Sequence, residues 1–435
     1  MVALRKRDGT ILMPGDSHPA EVGRPLVACP DCGLLHALPD MPAGEKAVCS
    51  RCGSPLRANL GHGLHRSAAF SVAALILLAV ATMFPLLVFE LEGREQPGGI
   101  LSAAEALWNV GYPVLAVLVF FTVLAAPLLK ILTTLYVVLP LLAGRPAPGT
   151  ARVFRMLDHL KPWAMVEVFL LGLIVAYVKL SDIATVETGP SLFALVGLMV
   201  ALTWAEAALD PYEVWERLSP QLRAGTAGAA GISPENLVRC HACGQLAEGE
   251  RRPCPRCGAP LHRRKPHSFH RTAALAAAAA ILYIPANLLP IMTVVYFGSG
   301  EADTILSGVE TLIASGMLPI ALLVFFASIA VPVLKLAGLS YLLLSVRRRS
   351  PARLKDRTRL YRLIEGVGRW SMVDIFMISL LTSLVQLGAI ATVHAEPGAV
   401  AFAMVVVITM RASHAFDPRL MWDAADTRQE NSSLG

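Results

Sequence analysis

Charge is scarce in this chain. Only 16% of the 435 residues are Asp, Glu, Lys or Arg, against about 25% in an ordinary soluble domain. Long stretches, such as Ser67 to Phe89, lack acidic and basic residues altogether. A soluble globular class is thereby excluded, and the chain reads as a polytopic membrane protein. It contains no G-x-x-x-x-G-K-[ST], so no nucleotide is held by that loop. No nucleophile–base set and no open metal site stand out, which argues against a membrane enzyme. The first apolar run begins only after 66 polar residues, so no cleavable leader peptide is expected.

Basic residues are almost missing from one side of the membrane. Eight apolar spans are read at about 67–89, 113–142, 162–181, 191–209, 271–297, 317–346, 370–390 and 398–416. With the N-terminus in the cytoplasm, 34 of the 38 Lys and Arg fall on the cytoplasmic side. Arg94 and Lys179 lie opposite, and Lys130 and Lys335 lie inside spans. The positive-inside rule then puts both termini and the central linker in the cytoplasm. The outer loops "FELEGREQPGG", "SDIATVETGP" and "GSGEADT" are acidic or neutral.

What is present is written twice. "CSRCGSPL" (Cys49 to Leu56) matches "CPRCGAPL" (Cys254 to Leu261) 205 residues later. "ILSAAEALWNVG" matches "ILSGVETLIASG", and "VFFTVLAAPLLK" matches "VFFASIAVPVLK". The offset then becomes 207, and "RVFRMLDHLKPWAMVEVF" matches "RLYRLIEGVGRWSMVDIF". Each unit is a cysteine module followed by four spans, so the two repeats run parallel about an axis along the membrane normal. The expected division is a first cysteine module at 1–66, four spans at 67–218, linker and second module at 219–269, four spans at 270–422 and a disordered tail at 423–435. The linker "LRAGTAGAAGISPEN" is Gly/Ala-rich and reads as flexible. The fold class expected is all-α in the membrane, with a small cytoplasmic zinc ribbon, rubredoxin-like in its ligands, before each half.

All eight cysteines lie in those two modules: Cys29, Cys32, Cys49 and Cys52, then Cys240, Cys243, Cys254 and Cys257. The cytoplasm is reducing, so metal ligation is favoured over disulfides. Paired C-x-x-C knuckles close a tetrahedral four-thiolate site. Gly33, Gly53, Gly244 and Gly258 follow the second cysteine of each knuckle, where the turn needs a residue without a Cβ. Two closed, structural Zn2+ sites are expected, and a rubredoxin-type iron has the same ligands. Ribbons tethered to membrane helices are not expected to bind nucleic acid.

"SAAE" (Ser102 to Glu105) and "SGVE" (Ser307 to Glu310) read as capping boxes opening a short interfacial helix on the far side. Lys130 and Lys335 each follow a mid-span proline, Pro127 or Pro332, by three residues. Each proline frees the carbonyl four residues earlier, at Val123 or Ser328. The third spans carry Glu167 and Asp374. Lys130 is therefore paired with Glu167, and Lys335 with Asp374. At 1.5 Å per residue the lysines stand about 17 Å and the acids about 7 Å from the cytoplasmic boundary. The blander alternative is a snorkelling lysine and an interfacial acid. Against it, charges at this depth are costly and face partners in a bundle interior. Ser328 and Thr409 make the second cluster the more polar, because the first half has Val123 and Leu202 there.

The paired C-x-x-C modules, the "HR" entering each first span, the "PLLK"/"PVLK" helix and the "DP" after each fourth span resemble the paraquat-inducible protein A family from Cys29 to about Trp422. The resemblance implies a multi-pass protein of a Gram-negative inner membrane. It implies that a periplasmic mammalian-cell-entry (MCE) protein is the partner and phospholipid the cargo. On that expectation the polar cluster lies on the lipid path and could couple it to protons. The alternative is a membrane anchor for the tunnel with no transport activity of its own.

Overall fold

The computed structural model describes residues 2–5, 11–12, 26–39, 41–59, 61, 63–91, 94–181, 185–219, 236–249, 252–296, 299–385 and 391–433. The linker expected to be flexible lies, over 220–235, outside the described residues.

The N-terminal module is built of short strands. β1 (Val2–Arg5), β2 (Ile11–Leu12), β5 (Lys46–Cys49) and β6 (Pro55–Ala58) form a sheet in the order β2-β1-β5-β6. β3 (Leu26–Ala28) and β4 (Leu35–Ala37) form a separate hairpin carrying the first knuckle.

The first half then runs α1 (Gly63–Met83), β7 (Leu87–Leu91), β8 (Arg94–Gly98), α2 (Ile100–Asn109), α3 (Pro113–Phe120), α4 (Ala126–Leu142), α5 (Thr150–Leu160), α6 (Val166–Ser181), β9 (Thr185–Thr188), α7 (Pro190–Ala208) and α8 (Pro211–Leu218). The second module contributes the hairpin β10 (Leu237–Arg239) and β11 (Leu246–Glu248). The second half repeats the order: α9 (Ser268–Leu288), β12 (Met292–Tyr296), β13 (Ser299–Asp303), α10 (Ile305–Ala314), α11 (Leu318–Phe325), α12 (Val331–Arg347), α13 (Leu354–Val367), α14 (Val373–Leu384), β14 (Ala391–Ala395), α15 (Pro397–Ala415) and α16 (Arg419–Ser433).

Seven helical runs among the described residues are long and apolar enough to cross a membrane, one fewer than the sequence reading expects. The eighth, α6, has 16 residues and reaches about 24 Å, short of a bilayer core of about 30 Å. Its counterpart α14 has 12 residues and is lengthened by the 3₁₀ turn Gly368–Met372 and α13. These two short third spans pack on one another across the halves. Phe169 and Phe376 meet edge to face at 5.6 Å, and a Cβ on Gly172 would stand 2.9 Å from the Phe376 side chain. Every residue of α14 is buried. The first and fourth spans pair within each half, α1 with α7 and α9 with α15.

Four features depart from the sequence reading. The molecule is not purely helical on the far side. The loops there form two three-stranded antiparallel sheets, β8-β7-β9 and β13-β12-β14. Their β-branched runs, "TVET", "MTVVY" and "ATVHA", were the available signal. The second spans are not simply kinked at proline. A π-helical turn, Phe121–Ala125 or Phe326–Ala330, precedes each, with Ala126 N–H bonded to Phe121 O and Val331 N–H to Phe326 O. The widened turn admits the proline ring. Ser102 and Ser307 are not N-caps. The helices start earlier, at Gly99 and Thr304, and the serines are the third helical residues, bonding back to the cap N–H at 2.6 and 2.9 Å. Glu105 and Glu310 therefore sit beyond the first turn, exposed, with no capping role. Finally, helix α16 runs on where a disordered tail is expected. Asp417 caps its start through the Arg419 N–H at 3.1 Å, and residues 420–433 contain neither Gly nor Pro.

Candidate metal centres and membrane polar site

In each module four Sγ atoms converge to within 4.8 Å of one another. Cys29–Cys52 and Cys32–Cys49 are 3.5 Å apart, and Cys240–Cys257 and Cys243–Cys254 are 3.6 Å apart. A tetrahedron with metal–sulfur bonds of 2.3 Å has edges of about 3.8 Å, so both sets fit a four-thiolate ion. The local backbone explains the geometry. Gly33, Gly53, Gly244 and Gly258 have φ of +77°, +72°, +74° and +70°. Their N–H groups close each knuckle onto the carbonyl of its first cysteine at 2.8 to 3.1 Å. A β-carbon there would be strained. His36 Nε2 lies 3.2 Å from Cys49 Sγ, a contact the sequence reading missed.

The modules are exchanged between the halves. The Cys29–Cys52 cluster packs on Trp422 at the end of the second half. Arg362 of α13 reaches it, bonding Asp31 at 2.7 Å and the Cys52 carbonyl at 3.4 Å. The Cys240–Cys257 cluster packs on Phe154, Leu157 and Trp215 of the first half, and Arg155 of α5 bonds the Cys257 carbonyl at 3.4 Å. Arg155 and Arg362 are equivalent positions in the repeat, as are Trp215 and Trp422. Each ribbon also touches its own half at the side. Arg57 stacks 3.7 Å over Tyr212, and His241 accepts from Arg419 at 3.0 Å.

That last contact belongs to a buried network under the second "DP". Arg419 donates to both oxygens of Asp417 at 3.0 and 2.9 Å, and Lys265 N–H donates to the same carboxylate at 3.0 Å. Burial pushes Asp417 up, but Arg419 outweighs it and holds the carboxyl below its usual range. Burial beside Arg419 lowers His241 to about 4, which keeps the ring neutral. In the first half Asp210 caps Tyr212 N–H at 2.9 Å, has no such arginine, and is pushed up by burial.

Neither lysine pairs with the acid expected of it. Lys130 Nζ bonds Glu206 on the fourth span at 2.8 Å. Glu167 bonds Arg369 of the other half at 2.9 Å. Lys335 Nζ donates to Thr409 at 2.8 Å, and no ion pair joins it to Asp374 among the described residues. The Ser328 hydroxyl lies beside the Asp374 carboxylate, and both are otherwise without a hydrogen-bond partner among the described residues. The physical reason is the packing. The third spans turn toward one another, so Glu167 meets the opposite half rather than its own second span. Lys130 bends toward the ribbon side, where Glu206 waits two residues from the end of α7, as a snorkelling lysine does. Ser413 occupies the position of Glu206 in the second half, so Lys335 stops one turn deeper, at Thr409. Lys335 and Asp374 are 2% and 1% exposed, so they remain deeply buried though apart.

The sequence model described as paraquat-inducible protein A matches residues 64–219 and 269–426, one segment in each half. The chain is 32% identical over 410 residues to the intermembrane transport protein PqiA of Escherichia coli (strain K12), covering 94% of this chain and 98% of the relative. It is 34% identical over 400 residues to the lipophilic envelope-spanning tunnel protein A of the same organism, covering 92% and 91%. A probable intermembrane transport protein of Haemophilus influenzae (strain ATCC 51907 / DSM 11121 / KW20 / Rd) is 30% identical over 413 residues, covering 92% and 96%. No solved structure matches the chain.

Proposed function

The chain belongs to the paraquat-inducible protein A family, and from that premise we propose that it is the inner-membrane subunit of a lipid transport system. It passes phospholipid between the bilayer and a periplasmic tunnel built by an MCE-family protein. The observation that carries this reading is its likeness, over nearly the whole chain, to relatives named for intermembrane transport and an envelope-spanning tunnel. The reading assigns no chemical conversion to the chain. Both termini and both ribbons face the cytoplasm, as the basic residues favour. Zn2+ occupies the two four-cysteine sites and holds the ribbons in place.

In this reading the second half carries the moving part. Asp374, beside Ser328 and within the field of Lys179, and Lys335, bonded to Thr409, are ionisable groups inside the bundle with no ion pair among the described residues. Such groups are suited to exchanging protons as lipid passes, and buried ionisable residues in membrane segments commonly mark pathways.

The test is transfer of labelled phospholipid from vesicles containing the full chain to the soluble tunnel partner. Transfer that depends on the chain is expected. Tight binding of the partner with transfer no faster than from protein-free vesicles would leave a membrane anchor and overturn the transport reading. Orientation is checked separately. Gly300→Cys should react with an impermeant thiol reagent from the periplasm, and Ser350→Cys should not.

A further inference from the structure

On the side away from the ribbons, α2 lies against α3 and leaves an apolar groove of about 370 Å³. Leu101, Trp108 and Phe120 line it and are 45%, 58% and 45% exposed. Beside it, between α2 and the end of α14, is a polar hollow of about 290 Å³ lined by Gln96, Ser102, Asn109 and Ser383. Both volumes lie at or near the range of small-molecule pockets. Glu105 stands on the divide and lines both. Among the described residues it is the only ionisable one lining either. Its carboxylate has no hydrogen-bond or ionic partner among the described residues. The floor of the polar hollow is fixed, since Ser383 Oγ donates to Ser102 Oγ at 2.9 Å and ties α14 of one half to α2 of the other.

An apolar groove ending in one carboxylate and two primary amides is complementary to one kind of lipid. We propose that it binds a phospholipid whose headgroup carries a protonated primary amine. One acyl chain lies along α2 and α3, the ammonium meets Glu105, and the amide N–H groups of Gln96 and Asn109 donate to phosphate oxygens. This deepens, and rests on, the lipid-transport reading. A headgroup with a net negative charge could still meet the two amides but brings no cation to Glu105, and is disfavoured there.

The other half does not rebuild the place. The positions equivalent to Gln96, Asn109 and Ser383 are Glu301, Ala314 and Ala176. Both phosphate donors are lost and a second acid is added, while Glu310 repeats Glu105 and Phe325 repeats Phe120. The apolar wall is thus common to both repeats, and the headgroup end belongs to the first alone.

The test uses the full chain in bilayer discs holding equal phosphatidylethanolamine and phosphatidylglycerol, followed by gentle extraction and mass spectrometry of the retained lipid. Wild type should retain the amine lipid about two- to fivefold over the disc ratio, the range an exposed ion pair supplies. Glu105→Gln should return the ratio to that of the disc, and Glu105→Lys should favour phosphatidylglycerol. Both variants should melt like wild type, because the Glu105 side chain is exposed and has no hydrogen bond or ion pair among the described residues. Asn109→Ala should lower total retained lipid without reversing the preference. No enrichment in wild type, or the same enrichment in Glu105→Lys, would overturn the proposal. Vesicle transfer separates the two readings. Enrichment with no transfer removes the transport function and leaves the site. Transfer of both lipids at equal rates with no enrichment removes the site and leaves the function.

Discussion

The two halves share an order of elements and differ in how they settle their charges. In the first half Lys130 and Glu167 each have an ionic partner near the ribbon side: Lys130 with Glu206, and Glu167 with Arg369. In the second half neither Lys335 nor Asp374 has an ion pair among the described residues; Lys335 bonds the Thr409 hydroxyl, and Asp374 lies beside the Ser328 hydroxyl and within the field of Lys179. Three substitutions between repeats account for the difference. Glu206 becomes Ser413, Leu202 becomes Thr409, and Arg369 has Pro162 as its counterpart, so Asp374 has no arginine facing it. A duplicated bundle can thus keep ion pairs in one copy and leave costly buried ionisable groups without an ion pair among the described residues in the other, the pattern on which the proposed transport role rests.

The largest effect expected on this comparison concerns the exchanged ribbons. Cys254→Ser should cut bound metal from about two ions per chain to about one and unfold the second ribbon, because structural metal binding is itself folding free energy. Hydrogen exchange should then rise first in α5 and α8 of the first half, not in α13 and α16. Cys49→Ser should give the mirror pattern. Exposure of each ribbon's own following half instead would break the exchanged arrangement. Next, Thr409→Leu restores the first-half residue and removes the acceptor that Lys335 has among the described residues. Lipid transfer should fall about tenfold or more, since a hydrogen bond to a charged group is worth about 1.5–3 kcal/mol. A smaller effect is expected of Glu206→Gln. Its side chain is 41% exposed, so stability should drop by about 0.5–1 kcal/mol in a denaturant titration, with transfer nearly unchanged. The smallest belongs to Arg369→Ala. Both partners are 36% exposed, and the loss should stay under about 1 kcal/mol and shrink further in high salt.

Much of this was readable in advance, and the failures have a common cause. The repeats, the two cysteine sets and the long spans follow from spacing and hydropathy, which are local. The positive φ at Gly33, Gly53, Gly244 and Gly258 was legible from knuckle chemistry alone. The pairing of charges was not, because it depends on α6 and α14 packing across the halves, and a repeat unit read by itself contains no such contact. The same holds for the ribbons. Sequence order places Cys29–Cys52 before the first half, while Arg362 and Trp422, which receive it, lie more than three hundred residues away. The short third spans were read as full-length because apolar residues continue into the flanking turns, Lys161 to Met165 and Gly368 to Met372. Glu105 was set aside as a cap from its S-x-x-E spacing, and a start three residues earlier, with Gly99 rather than Ser102 as the cap, leaves it on the groove.

The account stands most directly on one ratio. Lipid transfer from vesicles to the tunnel partner would be measured for Lys130→Ala/Glu206→Ala and for Lys335→Ala/Asp374→Ala, each normalised to folded protein in the membrane. The first-half pair should keep transfer within about threefold of wild type, since removing both members of an ion pair leaves no charge stranded. The second-half pair should fall to the protein-free rate with its fold intact. Equal transfer by the two double variants would contradict the assignment of the path to the second half.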